Sequence, residues 1–198
     1  MYPSKSNCFS ICCSRILSLR KLSSMTTSVE GISLVTSRKE CMQIILVRGL
    51  PGSGKTTRAK EFLNSNPGFV HIESDDWFVR NEIYTFDPFE LNNAHQRCVS
   101  DCEFALRKNK DVILSNTFTT AAECAPYFVL EQKYRACLSL ITCVGTYGST
   151  HGVPPDKVEM MRLRFQPDGV IQLIARRDYH LFYANPYDAY YHFLNNPL

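Results

Sequence analysis

Residues 43–57 read QIILVRGLPGSGKTT. After Gln43 comes a short apolar run rich in β-branched residues, which is typical of a buried strand in a parallel sheet. The following residues, 49–56, match the pattern GxxxxGK[ST], and a strand before it and a helix after it are the context that this pattern requires. Glycines let backbone N–H groups close around phosphate oxygens, and a helix amino terminus favours negative charge. The stretch therefore predicts a strand, a phosphate-binding loop and a helix.

The loop residues predict how a nucleotide would be held. Lys55 is expected to act as a catalytic point charge on the β and γ phosphates, and the Thr56 hydroxyl is expected to bind magnesium. The expected ligands are therefore ATP and Mg²⁺. The residues predicted to contact the nucleotide are Gly49, Leu50, Pro51, Gly52, Ser53, Gly54, Lys55, Thr56 and Thr57.

The loop indicates nucleotide binding but leaves the reaction open, because GTPases, motor ATPases and small kinases share it. A guanine-selecting NKxD run does not occur in the sequence. A chain of 198 residues also leaves little room for a motor domain. These observations favour a small ATP-dependent kinase.

The rest of the chain alternates strand and helix patterns. Together with the first strand they predict an α/β protein, with a three-layer α/β/α arrangement around a central parallel sheet and ligands at the carboxyl ends of the strands. The predicted helices are residues 55–64, 91–106 and 121–134, and the further predicted strands are residues 69–73, 112–114 and 137–144.

Composition places the chain among globular proteins, with 44% hydrophobic and 21% charged residues. No apolar run reaches the roughly 18 to 20 residues that cross a bilayer. The formal charge of +3 comes from residues 1–40, where six Lys and Arg face two Asp and Glu; the other residues carry 16 basic and 17 acidic side chains. A nearly neutral domain does not favour a large basic patch, although the composition is compatible with a local groove of Arg and Lys.

Three segments are expected: a basic, Ser- and Cys-rich leader at 1–40, a kinase-like domain at 41–167, and an aromatic tail at 168–198. The leader is either disordered or a mitochondrial transit peptide. The tail either stacks on bases or packs on the domain. Nine cysteines without a CxxC pair predict reduced, mostly buried thiols. We therefore expect a cytoplasmic or nuclear protein, with mitochondrial import as the alternative.

Polar side chains are expected where two strands end. Asp75 and Asp76 follow the strand at 69–73, so a carboxylate could take the proton of an attacking hydroxyl or hold Mg²⁺ through water, or the pair could simply cap a helix. The strand at 112–114 leads into Ser115 and Asn116, where a magnesium-binding aspartate would be expected. Magnesium would then depend on Thr56, phosphate oxygens and water.

A flexible segment rich in Gly, Ser and Thr, residues 145–152, precedes a helix that carries Arg162 and Arg164. This order predicts a lid whose closure excludes water and places a guanidinium group on the transferring phosphoryl group. Arg162 is the expected catalytic arginine, and a solvated surface arginine is the alternative.

Five sequence blocks in this order resemble the polynucleotide-kinase-like proteins with this phosphate loop. The resemblance implies ATP and Mg²⁺ as cofactors, Asp75 as general base, and an arginine of the lid, Arg162 or Arg164, at the phosphoryl group. It implies the 5′-hydroxyl of RNA or DNA as acceptor. The blocks are RGLPGSGKTT (48–57), SDDWF (74–78), YTFDPFELNNAHQRC (84–98), VILSNTFTTAAECAPYF (112–128) and HGVPPDKVEMMRLRF (151–165).

Two departures from that family keep other functions open. Phe78 stands where those kinases carry an arginine that grips the acceptor's phosphate, and Ser115 and Asn116 stand where they carry an aspartate. The sequence is thus compatible with three hypotheses: a polynucleotide 5′-hydroxyl kinase, a kinase of nucleosides or other small molecules, and a nucleotide-binding interaction module without turnover.

Overall fold

The structure is a computed structural model that describes residues 41–148 and 151–174. The predicted leader and the tail beyond residue 174 lie outside the described residues. In chain order the elements are β1 (Gln43–Arg48), α1 (Lys55–Ser65), β2 (Phe69–Ile72), β3 (Val79–Arg80), β4 (Ile83–Tyr84), α2 (Leu91–Arg107), β5 (Asp111–Ser115), α3 (Ala121–Tyr134), β6 (Cys137–Thr142) and α4 (Pro155–Leu163), with 3-10 turns at Ser74–Phe78 and Pro88–Glu90.

The central sheet has four parallel strands in the order β2-β5-β1-β6. In the middle of the sheet Leu46 pairs with Leu114 on one side and Leu140 on the other. All of the predicted strands and helices are confirmed, with ends that differ by at most two residues. Because every strand runs the same way, the loops that follow β1, β2 and β5 meet at one edge of the sheet.

The alternation of side chains along β1 produces two cores. Ile44 and Leu46 point to one face, where they pack with residues of α2 and α3. Ile45 and Val47 point to the other face, where they pack against Ala59 of α1. Each fully buried aliphatic side chain of this kind contributes roughly 1.5–3 kcal/mol to stability. The predicted three-layer α/β/α architecture is therefore confirmed.

A short antiparallel hairpin, β3 and β4, was not predicted. Its turn consists of Asn81 and Glu82, both with positive φ (51° and 65°). Asparagine adopts this conformation readily, whereas glutamate rarely does, so the usual hairpin dipeptide signal is absent from the sequence. The hairpin carries Tyr84 to the edge of the sheet where the strands end.

The cysteine prediction is correct for one group and wrong for one pair. Cys98, Cys102 and Cys124 are free and buried, as expected. Cys41 and Cys137, however, form a disulfide across a sequence separation of 96 residues. Residue Met42 and Cys137 are also joined by a backbone hydrogen bond of 2.7 Å, so pairing at this end of β1 brings the two cysteines together.

The described chain continues past α4 into a helical segment at 168–174. Asp168 forms an ion pair with Arg48, and Ile171 is fully buried in the core beneath α2 and α3. The boundary predicted at residue 167 thus falls inside a packed part of the molecule. Among the helices at residues 41–148 and 151–174, none is long and apolar enough to cross a membrane.

Candidate functional site

The loop between β1 and α1 has a backbone shape that requires glycine. Gly49 has a φ of +153°, and a Cβ at this position would lie 2.4 Å from Ser53 Oγ and 2.5 Å from the Cys143 carbonyl oxygen. Gly54 caps α1 in the left-handed region, with φ 88°. The backbone therefore makes a tight turn between β1 and α1 that only glycine allows at these positions, which is the backbone shape of a phosphate-binding loop.

The amino terminus of α1 suits an anion. The helix has 11 residues and no acidic side chain in its first turn, so its positive end is not neutralised. Lys55 Nζ donates a 2.9 Å hydrogen bond to the Leu50 carbonyl and lies beside the loop. Burial lowers the pKa of Lys55, while the negative charge of Asp75 acts to raise it. The loop, the helix terminus and the lysine together fit the phosphates of a nucleotide.

A cavity of about 1390 Å³, here called the cleft, opens at the carboxyl ends of β1, β2 and β5. Of the predicted nucleotide contacts, Pro51, Gly52, Gly54, Lys55, Thr56 and Thr57 line it. Gly49, Leu50 and Ser53 belong to the loop but are not among the residues that line the cleft. Ser53 is 4% exposed, and the structure gives its hydroxyl no hydrogen-bond partner.

The Thr56 hydroxyl fits a magnesium ion that is shared with phosphate oxygens, because Mg²⁺ keeps several waters and takes few protein ligands. In the described part of the chain, no group of three or more His, Cys, Asp or Glu side chains is arranged to hold a metal ion by itself. Thr56 lines the cleft beside Lys55, so its hydroxyl would hold the ion if magnesium binds with the nucleotide phosphates.

Asp75 lies in the 3-10 turn after β2 and lines the cleft. Tyr84 Oη and His151 Nε2 each approach one of its carboxylate oxygens at 3.5 Å, and the rings of Tyr84 and His151 stack with centroids 4.1 Å apart. Burial and the nearby Asp75 carboxylate raise the pKa of Tyr84 to about 12, so the phenol stays protonated. Asp75 and Lys55 thus share one cleft, whereas Asp76 is exposed outside it.

Asn116 closes the end of β5 against the end of β2. Its Oδ1 atom accepts hydrogen bonds of 2.8 Å from both the backbone N–H and the hydroxyl of Ser74. Asn116 is 4% exposed and also lines the cleft. The amide therefore holds the turn that carries Asp75, a connection that the sequence did not predict.

A second polar cluster at the same place contains Glu73. The Ser115 hydroxyl donates to the Glu73 carboxylate, and His71 Nε2 lies 2.7 Å from Ser115 Oγ and 3.2 Å from Glu73 Oε1. Burial acts to raise the pKa of Glu73, but hydrogen bonds from His71, Ser115 and Thr56 outweigh it and hold the pKa below its usual value. Glu73 directly precedes the Ser-Asp-Asp motif, yet nothing in its sequence context distinguished it from an ordinary strand end.

The structure separates the two arginines predicted for the lid, Arg162 in α4 and Arg164 just after it. Arg162 is on the exposed face of α4 and pairs with Glu159 at 3.1 Å. Arg164 lines the cleft, where its Nε donates to Thr119 Oγ1 at 3.0 Å and its guanidinium lies 3.7 Å from Glu123. We expected Arg162 in the site, but it does not line the cleft, because its side chain lies on the solvent-exposed face of α4.

A third arginine was missed by sequence reasoning altogether. Arg48, fully buried, donates to the carbonyls of Phe118 (2.9 Å) and Gln166 (2.8 Å), pairs with Asp168, and packs over the Phe165 ring at 4.1 Å. Arg48, the residue before the phosphate loop, is thus connected to the segment that follows α4. In the sequence Arg48 is a single arginine before Gly49, and nothing near it indicates that its partners are residues 118, 166 and 168.

Apolar and aromatic side chains form part of the lining of the cleft. Phe78, 3% exposed, packs edge-on against Tyr84 (centroids 6.2 Å apart) and at a tilt against Phe86 (5.0 Å). Apart from Lys55, the Lys and Arg side chains among the lining residues are Lys157 and Arg164. The larger apolar and aromatic residues that line the cleft are Tyr84, Phe86, Pro88, Leu91, Val99, Pro126, Tyr127, Tyr147, Val153, Pro154, Met161 and Leu163.

Comparison with known proteins gives one family and several distant likenesses. A family model described as an AAA domain matches residues 44–145. NEDD4-binding protein 2 of Homo sapiens is 38% identical over 93 residues, which is 46% of this chain and 5% of that protein. The chain therefore spans only a small part of this relative.

Among solved structures, one described as the Pnkp1/Rnl/Hen1 RNA repair complex has a TM-score of 0.45 at 18% identity, covering 73% of this chain and 46% of that chain. A gluconokinase from Sinorhizobium meliloti 1021 has a TM-score of 0.42 at 16% identity, covering 68% and 87%. Likenesses of this size carry no argument about the reaction.

Proposed function

The chain belongs to the AAA domain family, and we propose that it is an ATP- and Mg²⁺-dependent kinase. In this proposal it transfers the γ-phosphoryl group of ATP to a hydroxyl, with a polynucleotide 5′-hydroxyl as the first choice of acceptor. One observation carries the proposal: Lys55, at the phosphate loop, and Asp75 line the same cleft. The contacts of the Asp75 carboxylate with Tyr84 and His151 are both long, at 3.5 Å.

The residues divide the work of the reaction. The loop amides and Lys55 hold the β and γ phosphates, and Asp75 accepts the proton of the acceptor hydroxyl. The acceptor oxygen forms a bond to the γ-phosphorus as the bond from that phosphorus to the β–γ bridging oxygen breaks, so ADP carries the electron pair away. Magnesium, when bound at Thr56, neutralises charge on the phosphate oxygens. Arg164, which already lines the cleft, is the better placed of the two lid arginines to approach the γ-phosphoryl group.

A second acceptor class is favoured by Phe78. This residue is buried against Tyr84 and Phe86, so no guanidinium at position 78 grips a phosphate of the acceptor. Arg80, on β3, is exposed and is not among the residues that line the cleft. A nucleoside or another small molecule without a neighbouring phosphate fits this apolar wall as well as an oligonucleotide terminus does.

The test is transfer of label from γ-labelled ATP to a panel of acceptors. The panel contains 5′-hydroxyl RNA and DNA oligonucleotides, the same oligonucleotides with a 5′-phosphate as matched non-acceptors, and a set of nucleosides and sugars. We expect labelling of the 5′-hydroxyl oligonucleotides. Transfer to nucleosides or sugars alone would select the second acceptor class, and ATP binding without any transfer would leave a nucleotide-binding module.

Two variants and a control identify the residues responsible. Lys55→Ala should weaken ATP binding about 10-fold or more, since a hydrogen bond to a charged group contributes about 1.5–3 kcal/mol. Asp75→Asn should lower the transfer rate about 10²- to 10⁴-fold while ATP affinity is retained. Asp76→Asn, one residue away and exposed outside the cleft, is the matched control and should transfer at the wild-type rate. Equal rates for the Asp75 and Asp76 variants would exclude Asp75 as the base.

A further inference from the structure

An exposed aromatic residue is attached to the phosphate loop by its backbone. Tyr147 follows β6 and lines the cleft, and 82% of its surface is exposed. Its backbone N–H donates a hydrogen bond of 2.9 Å to the Gly52 carbonyl oxygen in the loop. The backbone at Tyr147 is therefore fixed beside the loop, while most of the side chain stays accessible.

Two glycines make room for one edge of the Tyr147 ring. A Cβ added to Gly54 would lie 3.1 Å from Cε2 of the ring, and a Cβ added to Gly145 would overlap the same atom. Gly54 is the residue directly before Lys55 and caps the amino terminus of α1. The ring edge thus packs on backbone at the place where the phosphates are expected, and the rest of the ring extends into the accessible part of the cleft.

The strand order indicates which way a bound nucleotide would run. In the sheet β2-β5-β1-β6, the phosphate loop follows β1, Asp75 follows β2 and Tyr147 follows β6. The loop therefore lies between Asp75 and Tyr147, and the chain comes back to Asp75 only at His151. In the proposed reaction the γ phosphate points toward Asp75. The base is at the other end of the nucleotide, so it leaves the loop on the side of β6.

We propose that Tyr147 is the stacking surface for the nucleobase, with the base of bound ATP lying on the face of its ring. The contacts with Gly52, Gly54 and Gly145 hold the ring before the nucleotide arrives, so stacking costs little further conformational freedom. Every base has a π face, so this contact adds affinity without selecting adenine over guanine. The inference rests on the proposed function for the direction of the γ phosphate, but it does not require turnover.

The experiment compares a nucleotide with its phosphate chain alone. The affinities of the full chain for ATP and for inorganic tripolyphosphate are measured by calorimetry in Mg²⁺, and the ratio of the two is the base gain. We expect Tyr147→Ala to lower the affinity for ATP about 5- to 150-fold, the range for the loss of one base–aromatic stack. The affinity for tripolyphosphate should stay unchanged, and the affinity for GTP should fall as that for ATP does.

Two further variants separate stacking from other effects of the substitution. Tyr147→Phe keeps the ring face and should keep the base gain. Phe89→Ala removes an aromatic side chain that is 92% exposed and does not line the cleft, so it is the matched control and should bind both ligands as the wild type does. A loss in Tyr147→Phe as large as that in Tyr147→Ala would assign the effect to the hydroxyl and overturn the proposal.

Equal losses of ATP and tripolyphosphate affinity in Tyr147→Ala would show that the side chain only shapes the loop, and a folded variant with the wild-type base gain would show that it does not contact the base; either result overturns the proposal. If Tyr147→Ala does not fold, Tyr147→Leu takes its place, because it keeps an apolar contact with the glycines but has no ring. A wild-type base gain in that variant counts against the proposal.

The wild-type chain distinguishes this inference from the proposed function. Binding of tripolyphosphate as tight as that of ATP would overturn the stacking contact and leave the phosphate site in place. Binding of neither ligand would overturn the inference together with nucleotide binding. A base gain without phosphoryl transfer to any acceptor would contradict only the proposed reaction.

Discussion

Gly49 shows how one residue determines the shape of the phosphate loop. Its φ of +153° and the close Ser53 and Cys143 atoms leave no room for a side chain. The Cys143 atom is a backbone carbonyl, which cannot rotate away as a flexible side chain would. The position is therefore strained for any other residue, both by its dihedral angle and by its surroundings.

We expect Gly49→Ala to lower the free energy of unfolding by about 1–3 kcal/mol and to weaken ATP binding, because the loop must open to accept the methyl group. Urea unfolding and nucleotide titration measure the two effects. Gly68→Ala is the matched control, since nothing lies within 4 Å of its added Cβ, and it should leave both quantities near the wild-type values. Equal stability of the two variants would show that the loop relaxes freely.

Single residues also mark where sequence reasoning stops. The loop motif depends on local backbone geometry, so its lysine, threonine and glycines could be predicted from their order alone. The roles of Glu73, Asn116 and Arg48 depend on distant partners: Ser115 is 42 residues from Glu73, Ser74 is 42 residues from Asn116, and Phe118 is 70 residues from Arg48. Such contacts follow from strand register and loop paths, which local patterns do not contain.

At the scale of elements, α2 and α3 are joined by a polar network around Glu103. Lys133 Nζ and Tyr134 Oη each lie 2.8 Å from Glu103 Oε1, and an Arg107 nitrogen lies 3.1 Å from it. Burial acts to raise the pKa of Glu103, but these three hydrogen bonds outweigh it and lower the pKa from 4.5 to about 2. The carboxylate therefore binds its proton more readily in the unfolded chain than in the folded one.

The stabilisation from Glu103 is fully present above about pH 4.5 and is lost as the pH falls toward 2. We expect Glu103→Gln to be less stable than the wild type at pH 7 by about 1–3 kcal/mol, and the difference to shrink steadily below pH 4.5. Urea unfolding across this range measures it. Glu61→Gln, which removes an exposed partner of Arg58, should show a difference near zero at every pH. A difference for Glu103→Gln that stays constant with pH would contradict the prediction.

The segment after α4 is attached to β1 by Arg48. Asp168 provides the negative charge for this buried guanidinium and also accepts a 2.7 Å hydrogen bond from Thr142. Without that charge, Arg48 would remain cationic in a fully buried position. Removing the counter-charge of a buried cation is more destabilising than losing an exposed ion pair, although solvent reaches Asp168, which is 39% exposed.

We expect Asp168→Asn to lower the free energy of unfolding by about 1–3 kcal/mol, because the asparagine keeps the shape of the side chain but not its charge and Asp168 itself is 39% exposed. Chemical denaturation at pH 7 measures the loss. Glu61→Gln again serves as the control and should cost less than about 0.5 kcal/mol. A loss of that small size for Asp168→Asn would show that the Phe118 and Gln166 carbonyls are sufficient for Arg48.

Elements were more predictable than their contacts. Apolar runs bounded by polar loops predicted β1, β2, β5 and β6, and the spacing of apolar residues predicted the helices that cover them. The β3–β4 hairpin was not predicted, because its strands are two residues long and its turn contains neither glycine nor proline. Such a pair forms through its place beside Phe78 and the cleft rather than through its own propensity.

At the scale of the whole molecule, the disulfide between Cys41 and Cys137 connects the start of the described chain to β6. A covalent link across 96 residues removes conformational freedom mainly from the unfolded chain. The reduced-thiol prediction missed it because cysteine spacing in the sequence does not reveal which strand ends are neighbours. The link makes the stability of the protein depend on redox conditions.

We expect dithiothreitol to lower the free energy of unfolding by up to about 4–5 kcal/mol, the value for a loop of roughly 100 residues. Urea unfolding with and without the reductant measures this difference, and peptide mapping under non-reducing conditions identifies the bond. Cys41→Ser should be as stable as the reduced wild type and should not respond to the reductant. A response of the same size in Cys41→Ser would assign the effect to other thiols.

Ile171 is buried in the core and Asp168 pairs with Arg48, so a shortened fragment of this chain needs both residues to fold. The family match stops at residue 145, a natural place to cut when a domain is cloned. A fragment ending there, or at residue 167, would expose the apolar surface under Ile171 and leave a buried cation without its counter-charge. Preparations that extend through residue 174 should stay in solution at concentrations where the shorter ones aggregate, because the folding unit of this chain is longer than the part that defines its family.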